Sequence, residues 1–303
     1  MRKTLITLSA VVLLAGCAMQ DASKSMASSR GDAVMADTET RATEAAERPA
    51  TSMGVNDILA LPHRSEANRA RDAYRHPQET LAFFEVHPHQ TVLEVTPGGG
   101  WYTEILAPYL RTNGQLIAQV FDPAAQESQR SRDYYTKSNS ELRAKLAANP
   151  ALYDRVRVIE TPAATPVLGA PASVDRVLTF RNVHNWTGAK NDAAMFSAFF
   201  DALKPNGILG VVEHRATPGT DPAISAESGY ITEAYVIELA TAAGFELAGR
   251  SEVNANLKDT RDYKNGVWTL PPVMRVPEGE DPAKYKAIGE SDRMTLKFVK
   301  PAR

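Results

Sequence analysis

The stretch Val92-Leu-Glu-Val-Thr-Pro-Gly-Gly-Gly-Trp-Tyr-Thr-Glu-Ile-Leu106 decides the fold that we expect for this chain. An apolar strand carries an acid near its end, a glycine-rich turn follows, and a helix begins after the turn. In a doubly wound sheet such a turn lies at the carboxyl end of a strand, where ligands bind. Glycine permits positive φ and a close approach of the backbone, and the helix amino terminus offers unpaired N–H groups. The stretch therefore predicts a ligand site at one edge of a parallel sheet.

Segments rich in Val, Ile and Leu recur along the chain and alternate with helical segments. The predicted strands cover residues 91–95, 115–120, 156–160, 174–180, 208–213, 245–252 and 294–299. Repeated strand–helix units of this kind are typical of a parallel sheet covered by helices on both faces. We therefore expect an α/β fold with a doubly wound, mostly parallel, seven-stranded sheet, in which the last two strands form an antiparallel edge.

The same stretch resembles the first motif of the class I S-adenosylmethionine (SAM) dependent methyltransferases, which is an acid, an apolar residue and then Gly-x-Gly-x-Gly. Glu94 matches the acid, and Gly98 and Gly100 match the last two glycines, whereas Thr96 stands where the first glycine is usual. The sequence is especially similar to a family of exported bacterial "predicted methyltransferases". The resemblance spans roughly residues 58–300 and implies a Rossmann-like fold, SAM as cofactor and methyl transfer as activity.

The resemblance also implies which residues contact the cofactor. Class I enzymes usually end the second strand with an acid that holds the ribose hydroxyls. Here Val120 has that position and Asp122 follows two residues later, so Asp122 either reaches the ribose or is a turn residue before Pro123. Aromatic residues after the glycine turn would pack against the cofactor or face its sulfonium cation. The expected cofactor-binding residues are Glu94, Thr96, Gly98, Gly100, Trp101, Tyr102 and Asp122.

A polar segment, Arg181-Asn-Val-His-Asn-Trp186, follows the fourth predicted strand, and we expect a loop there at the ligand edge of the sheet. His184 suits a general base, because imidazole titrates near neutral pH. Asn182 and Asn185 would orient the acceptor or hold the methionine end of SAM, so these three residues are the predicted catalytic set. The alternative for His184 is a loop residue that caps backbone carbonyls, and Trp186 contacts the cofactor or packs in the core.

Two further polar clusters have open roles. Glu213-His-Arg215 follows the fifth predicted strand, but it lacks a local ligand spacing such as His-x-x-x-His, so no metal site is predicted. An early helical segment carries Asn68, Arg71, Asp72 and Arg75. It is either a lid over the cofactor or a surface helix with salt bridges.

The amino terminus indicates export. Two basic residues precede a short apolar run, residues 5–14, which is too short to span a membrane. Leu14-Ala-Gly-Cys17 resembles the bacterial lipobox, and this resemblance implies cleavage before Cys17 and lipidation of that residue. A chance cysteine after an ordinary signal peptide is the alternative. Because Ala18 rather than Asp follows, we expect a lipid anchor in the outer membrane, with the domain facing the periplasm.

The expected organisation is a signal peptide over residues 1–16, a lipidated cysteine with a flexible tether over 17–55, and a methyltransferase-like domain over 56–303. The composition is ordinary for a globular protein, with a net charge of -2 and 43% hydrophobic residues. No Lys/Arg stripe is interleaved with aromatics, which argues against nucleic-acid partners.

The sequence thus favours SAM-dependent methyl transfer to a small or lipid-linked acceptor by an envelope lipoprotein, held at the membrane through Cys17. A second hypothesis is a non-catalytic binding or interaction module that keeps the fold. Thr96 and Val120 favour this second hypothesis, and so does the location, since SAM is made in the cytoplasm. The turn from Gly98 to Gly100 and the polar segment around His184 favour the enzyme. The acceptor and the oligomeric state stay open.

Overall fold

A seven-stranded sheet organises residues 52–302, the part of the chain that the computed structural model describes. Its spatial order is β3-β2-β1-β4-β5-β7-β6. Neighbouring strands from β3 to β5 pair in parallel, and β7 runs antiparallel to both β5 and β6. The doubly wound, mostly parallel sheet expected from the sequence is confirmed. The strands are β1 (Thr91–Val95), β2 (Gln115–Phe121), β3 (Arg157–Thr161), β4 (Val174–Phe180), β5 (Leu203–His214), β6 (Glu246–Ser251) and β7 (Arg293–Val299).

Helices precede β1 and connect the strands on both faces of the sheet. In chain order they are α1 (Val55–Leu59), α2 (Glu66–Arg69), α3 (Asp72–Arg75), α4 (Pro77–Phe83), α5 (Thr103–Leu110), α6 (Gln129–Ala148), α7 (Pro150–Tyr153), α8 (Val183–Gly188), α9 (Asp192–Ala202), α10 (Pro222–Glu227), α11 (Glu233–Ala242) and α12 (Pro282–Ile288), with a 3₁₀ turn at Gly266–Thr269 before α12.

The two faces of the sheet bury separate apolar clusters, because successive side chains of a strand point to opposite faces. Leu93 on β1 belongs to the cluster that holds Phe199 of α9, whereas its neighbour Val92 belongs to the cluster that holds Leu106 of α5. Both strand residues are fully buried. Burial on both faces explains why the sequence of β1 is a nearly continuous apolar run. The turn follows the last residue of β1 and therefore lies at the edge of the sheet.

The polar segment after β4 is not a loop, and that expectation was wrong. Residues Val183–Gly188 form the helix α8. Its first N–H groups find a partner far away in the chain, because the carboxylate of Glu213 accepts from the backbone N–H of Val183 at 2.6 Å and of His184 at 3.4 Å. A helix start that is satisfied by a residue on another strand leaves no local capping signal in the sequence.

The expected leader, residues 1–16, and Cys17 lie outside the described residues, as does most of the expected tether over 17–55. The first described helix, α1, begins at Val55, one residue before the expected start of the domain. Within residues 52–302, no helix combines the length and the apolar character needed to cross a membrane.

Candidate active site

A cavity of about 510 Å³, the larger chamber, opens at the edge of the sheet where β1 and β4 end. Its lining combines the turn after β1, the start of α8 and the connection between β6 and β7. A smaller chamber of about 120 Å³ adjoins it against β2 and α6. The larger chamber falls within the usual size of small-molecule sites. The residues that line both chambers are Thr96, Gly98, Tyr134, Asn182 and Asn185.

The turn after β1 keeps a glycine-like backbone even where it lacks glycine. Thr96 has φ of 48°, in the left-handed region that a side chain disfavours by roughly 1–2 kcal/mol. Its N–H donates to the carbonyl of Gln119 at 2.8 Å, and its hydroxyl donates to the side-chain oxygen of Gln119 at 3.3 Å. These bonds to β2 offset the strain. The departure from glycine at this position therefore changes a side chain and not the path of the backbone.

Gly98 and Gly100 have different roles, although both have positive φ, of 58° and 73°. A Cβ atom at Gly98 would meet no protein atom within 4 Å, and this residue lines both chambers. A Cβ atom at Gly100 would lie 3.2 Å from Leu142 and 3.3 Å from Lys145 on α6, and Gly100 lines neither chamber. The structure thus leaves room for a ligand at Gly98, whereas Gly100 allows α6 to pack closely.

Glu94, the expected acid of the motif, lies beneath the turn and lines neither chamber. Its carboxylate is buried and accepts from the Thr103 hydroxyl at 2.7 Å. Burial raises the pKa of Glu94 to about 7, against the opposing effect of the bond from Thr103. In this structure Glu94 ties the end of β1 to the start of α5.

Of the two aromatic residues expected at the cofactor, only Trp101 borders the larger chamber. Its ring already faces two protein cations, the guanidiniums of Arg75 at 4.6 Å and Arg64 at 5.1 Å from the centroid. Tyr102 stacks on Phe180 with ring centroids 3.5 Å apart, and it lines neither chamber. Tyr102 therefore belongs to the packing under the site.

Asp122 is placed as a turn residue. Its carboxylate accepts from the backbone N–H of Ala124 at 2.8 Å, and it lines neither chamber. No acidic side chain of the described residues lines the smaller chamber, which presents aromatic, hydroxyl and amide groups instead, such as those of Tyr134 and Ser138. Any ribose bound there would have to be held without a carboxylate.

His184 lies in the wall of the larger chamber, next to a carboxylate. It borders the larger chamber and is largely buried, and its Nδ1 lies 3.0 Å from Oε1 of Glu213 at the end of β5. A carboxylate only accepts hydrogen bonds when ionised, so it favours the proton on Nδ1 and leaves the lone pair on Nε2. Within residues 52–302, no protein group hydrogen-bonds to this Nε2. The two side chains form a His–Glu dyad that serves the cavity.

The two asparagines of the predicted catalytic set differ in their surroundings. Asn182 is buried, and its amide donates to the carbonyl of Val95 at 3.0 Å and to the hydroxyl of Thr179 at 3.2 Å. It therefore fixes the end of β4 to the end of β1. Asn185 is exposed at the border of both chambers, where its amide is free to meet a ligand. Trp186 is buried in the core beside Phe199.

His214 lies next to this dyad, with its ring centroid 5.6 Å from that of His184. Burial first, and then the positive charges of Arg181, Arg293 and Arg75, hold the pKa of His214 well below its usual range. Its Nδ1 is 2.5 Å from the hydroxyl of Ser291. His214 is thus a neutral wall of the cavity. Among the described residues, no group of three or more His, Cys, Asp or Glu side chains is placed to hold a metal ion.

Three charged residues of the larger chamber had no assigned role in the sequence analysis, or only an ambiguous one: Arg71, Arg181 and Glu290. Arg71 comes from the early helical segment, so this segment does wall the cavity. The same segment also makes salt bridges, because Asp72 pairs with Arg64 at 2.7 Å. Arg181 stands directly after a strand, which is the one local signal that could have identified it. Glu290 carries no such signal.

The chain resembles solved SAM-dependent methyltransferase structures in fold. An enzyme from Aquifex aeolicus has 15% identity and a TM-score of 0.49, over 82% of this chain and 99% of that one. A second, from Methanosarcina mazei, has 11% identity and a TM-score of 0.49, over 74% and 98%. The [4+2]-cyclase SpnF has 18% identity and a TM-score of 0.49, over 80% and 86%. No protein-family model and no curated protein matches the sequence. One fold carries many activities, so the function depends on the residues of the site and not on the fold alone.

Proposed function

We propose that this protein is a SAM-dependent methyltransferase whose acceptor loses a proton to His184. The observation that carries this proposal is that one cavity contains both an open backbone turn at Gly98 and a carboxylate-oriented histidine. The first is suited to binding a cofactor and the second to activating an acceptor.

The residues of the two chambers fit SAM in part. The turn from Thr96 to Gly98 would hold the amino-acid portion, because it offers open space and backbone groups. The smaller chamber, between Val120 and Tyr134, would hold the nucleoside. When bound, SAM supplies a methyl group that is activated by the positive sulfonium. The missing ribose acid predicts weaker cofactor binding than such a carboxylate would give.

The dyad supplies the proton chemistry. With SAM bound, Nε2 of His184 would accept the proton of a hydroxyl or similarly protonated acceptor and so make the acceptor atom nucleophilic towards the methyl group that SAM would supply. The imidazolium that forms is stabilised by the carboxylate of Glu213, 3.0 Å from Nδ1. Glu213 is itself fixed, since it also accepts from the backbone N–H of His214 at 2.7 Å. The base is thus held in one orientation before the acceptor binds.

One observation favours a second candidate, a non-catalytic binding module. No described acidic residue lines the smaller chamber, so a ligand other than a ribonucleoside would fit it without an unmet requirement. The dyad has no use in such a module, and for that reason we prefer the enzyme.

Calorimetric titration of the full chain with SAM and with S-adenosylhomocysteine tests the proposal. We expect saturable binding of both, and no binding of an equal concentration of adenine. A screen with SAM that carries a labelled methyl group, against small phenols, quinones and lipid head groups, would then identify the acceptor. Absence of binding by both compounds would exclude the enzyme and leave the binding module.

We also propose that the protein is anchored through lipid on Cys17 in the bacterial envelope, facing the periplasm. The support is the lipobox-like Leu14-Ala-Gly-Cys17 after a short apolar run. Cys17→Ser should release the protein from membranes that are washed in high salt, since an acyl anchor holds by buried methylenes and not by charge. A variant that still sediments with the envelope would contradict the anchor.

A further inference from the structure

Arg181 is a cation without a partner in the wall of the larger chamber. It follows β4 directly, has φ of 64°, and is half-buried. Its guanidinium borders the larger chamber and forms no hydrogen bond or ion pair within the described residues 52–302. Burial lowers the pKa of Arg181 to about 10, so the side chain is charged at neutral pH. A guanidinium that lines a chamber without an ion pair can be paired by an anionic ligand, and hydrogen bonds between charged groups of this kind are favourable.

The neighbouring carboxylate of Glu290 offsets the charge of Arg181 only in part, because it forms ion pairs with three other arginines. Glu290 pairs with Arg71 at 2.5 Å, with Arg75 at 3.1 Å and with Arg293 at 3.0 Å. Despite burial, the charges of Arg75, Arg293 and Arg71 lower the pKa of Glu290 to about 2. The lining of this end of the larger chamber therefore contains two guanidiniums, of Arg71 and Arg181, and one carboxylate, while Arg75 and Arg293 pair with Glu290 from outside the lining.

Arg71 adds an unused donor to the same wall. Its Nε is taken by Glu290, whereas its Nη2 is buried and has no acceptor among residues 52–302. Both Arg71 and Arg181 line the larger chamber. Guanidinium groups match carboxylate and phosphate oxygens in geometry as well as charge.

We propose that Arg181 and Arg71 form an anion subsite that binds a carboxylate or phosphate group of the methyl acceptor. This inference rests on the proposed function and names the class of its substrate. The acceptor would join an anionic end to a protonated atom that reaches His184.

The position of the subsite favours the acceptor over the cofactor. Arg181 lies three residues before His184 at the same strand end, and both line the larger chamber. Neither Arg181 nor Arg71 lines the smaller chamber, which is suited to a nucleoside. Trp268 and Val273 also line the larger chamber, and the ring centroid of Trp268 is 6.3 Å from that of His184, so an acceptor with an aromatic or alkyl body would meet an apolar surface. A hydroxylated aromatic acid would match the anion subsite, His184 and the apolar surface. A phosphate ester with a hydroxylated aromatic or alkyl body would match them as well.

The test uses the full chain saturated with S-adenosylhomocysteine, titrated by calorimetry with 4-hydroxybenzoate, phenyl phosphate and neutral 4-hydroxybenzamide. We expect both anions to bind more tightly than the amide. Arg181→Gln should weaken anion binding by roughly tenfold or more, as expected for loss of a charged hydrogen bond, and leave the amide unchanged. Arg250→Gln is the matched control, because Arg250 is an exposed residue on β6 that pairs with Glu233.

Thermal unfolding provides a second readout on the same variant. Arg181→Gln removes a charge that has no described partner, so we expect an unfolding temperature equal to or above that of the parent. If this variant fails to fold, Arg181→Lys keeps the charge and loses the planar fork, and it should bind both anions less tightly than the parent.

Three results would overturn the subsite. The first is equal binding of the anions and the amide by the parent, and the second is unchanged anion binding by Arg181→Gln. The third is a loss of S-adenosylhomocysteine affinity in Arg181→Gln without a loss for methylthioadenosine, which lacks the carboxylate, because that pattern assigns Arg181 to the cofactor.

If the parent binds no S-adenosylhomocysteine, the proposed function fails separately. Inorganic phosphate titrated into the ligand-free parent and Arg181→Gln then decides the subsite alone.

Discussion

The two sides of the cavity are built by different means. The turn after β1 owes its shape to backbone conformation, with Thr96 and Gly98 in the left-handed region and little side-chain chemistry directed at the ligand. The edge formed by β4, β5 and the start of β7 owes its character to side chains, namely the dyad of His184 and Glu213 and the arginines around Glu290.

The turn after β1 and the edge formed by β4, β5 and β7 therefore tolerate different sequence changes. A surface formed by the backbone tolerates a side chain where the backbone conformation is preserved and the chamber stays open. Thr96 is an example, since it has a side chain and still adopts φ of 48°. A side-chain network depends on each member, because removal of one partner leaves another buried polar group unsatisfied. We therefore expect substitutions in the turn after β1 to act through space and conformation, and substitutions at the edge formed by β4, β5 and β7 to act through charge and proton transfer.

The largest effect should come from Gly98→Val, which places a branched side chain in the open space of the turn. We expect binding of S-adenosylhomocysteine to fall below detection by calorimetry, with a loss of roughly 1–2 kcal/mol in stability from the positive φ. Gly219→Val is the control, since Gly219 also has positive φ, of 82°, and an open Cβ position but lines neither chamber. Equal binding by Gly98→Val and the parent would remove the cofactor from this turn.

The next largest effect should come from His184→Gln, which retains polarity but accepts no proton at neutral pH. With an acceptor identified, kcat should fall by roughly 10²–10⁴-fold, the usual contribution of a positioned base. Cofactor affinity should stay unchanged. His89→Gln, at an exposed histidine, controls for the substitution itself. Turnover within a few-fold of the parent would show that the protein works by positioning alone.

A smaller, pH-dependent effect should come from Glu94→Gln. The folded-state pKa of Glu94 is raised to about 7 from an ordinary value of 4.5, mainly by burial. The parent therefore has this group's full stabilisation below about pH 4.5 and loses it as pH rises through 7, by on the order of 3 kcal/mol in total. The amide escapes that loss, so the stability of the variant relative to the parent should rise between pH 5 and pH 8 in urea unfolding. A constant difference across this range would refute the assignment.

The smallest effect should come from Asp122→Asn. The amide oxygen can still accept from the N–H of Ala124, so the turn should persist and SAM affinity should be unchanged. A clear fall in affinity, with unchanged thermal stability, would show that the carboxylate reaches the ribose when the cofactor binds. This variant thus distinguishes a cofactor site in which Asp122 stays in its turn from one in which its carboxylate moves to hold the ribose.

Most of the sheet was predictable because its signal is local. Val92 and Leu93 face opposite clusters, and such burial on both faces leaves a compact apolar run in the sequence. The placement of the turn after β1 follows from the same run. The helix α8 was missed because its first N–H groups are capped by Glu213, a residue of another strand.

The site was only partly predictable for the same reason. His184 stands at a strand end, and that position is readable in sequence, whereas the partner that orients it comes from β5. Glu290 reaches the cavity because β7 is antiparallel, so the residues before this strand, and not those after it, lie at the ligand edge. The lack of a partner for Arg181 is a property of packing, and no local pattern encodes it.

The inverted direction of β7 also has an evolutionary consequence. The connection over residues 252–292 supplies one wall of the larger chamber, and its two ends are joined in a ladder where Ser251 pairs with Thr295. The entropy of closing a loop grows only slowly with its length, so the connection can change in length at little entropic cost, provided that Glu290 and Asp292 keep their ion pairs with arginines. The turn that begins at Thr96 lies elsewhere in the chain, so a change in this connection leaves the sequence of the turn unaltered. A graft of residues 252–292 between relatives that keeps Glu290 and Asp292 should therefore transfer preference for the acceptor, while cofactor affinity stays with the host.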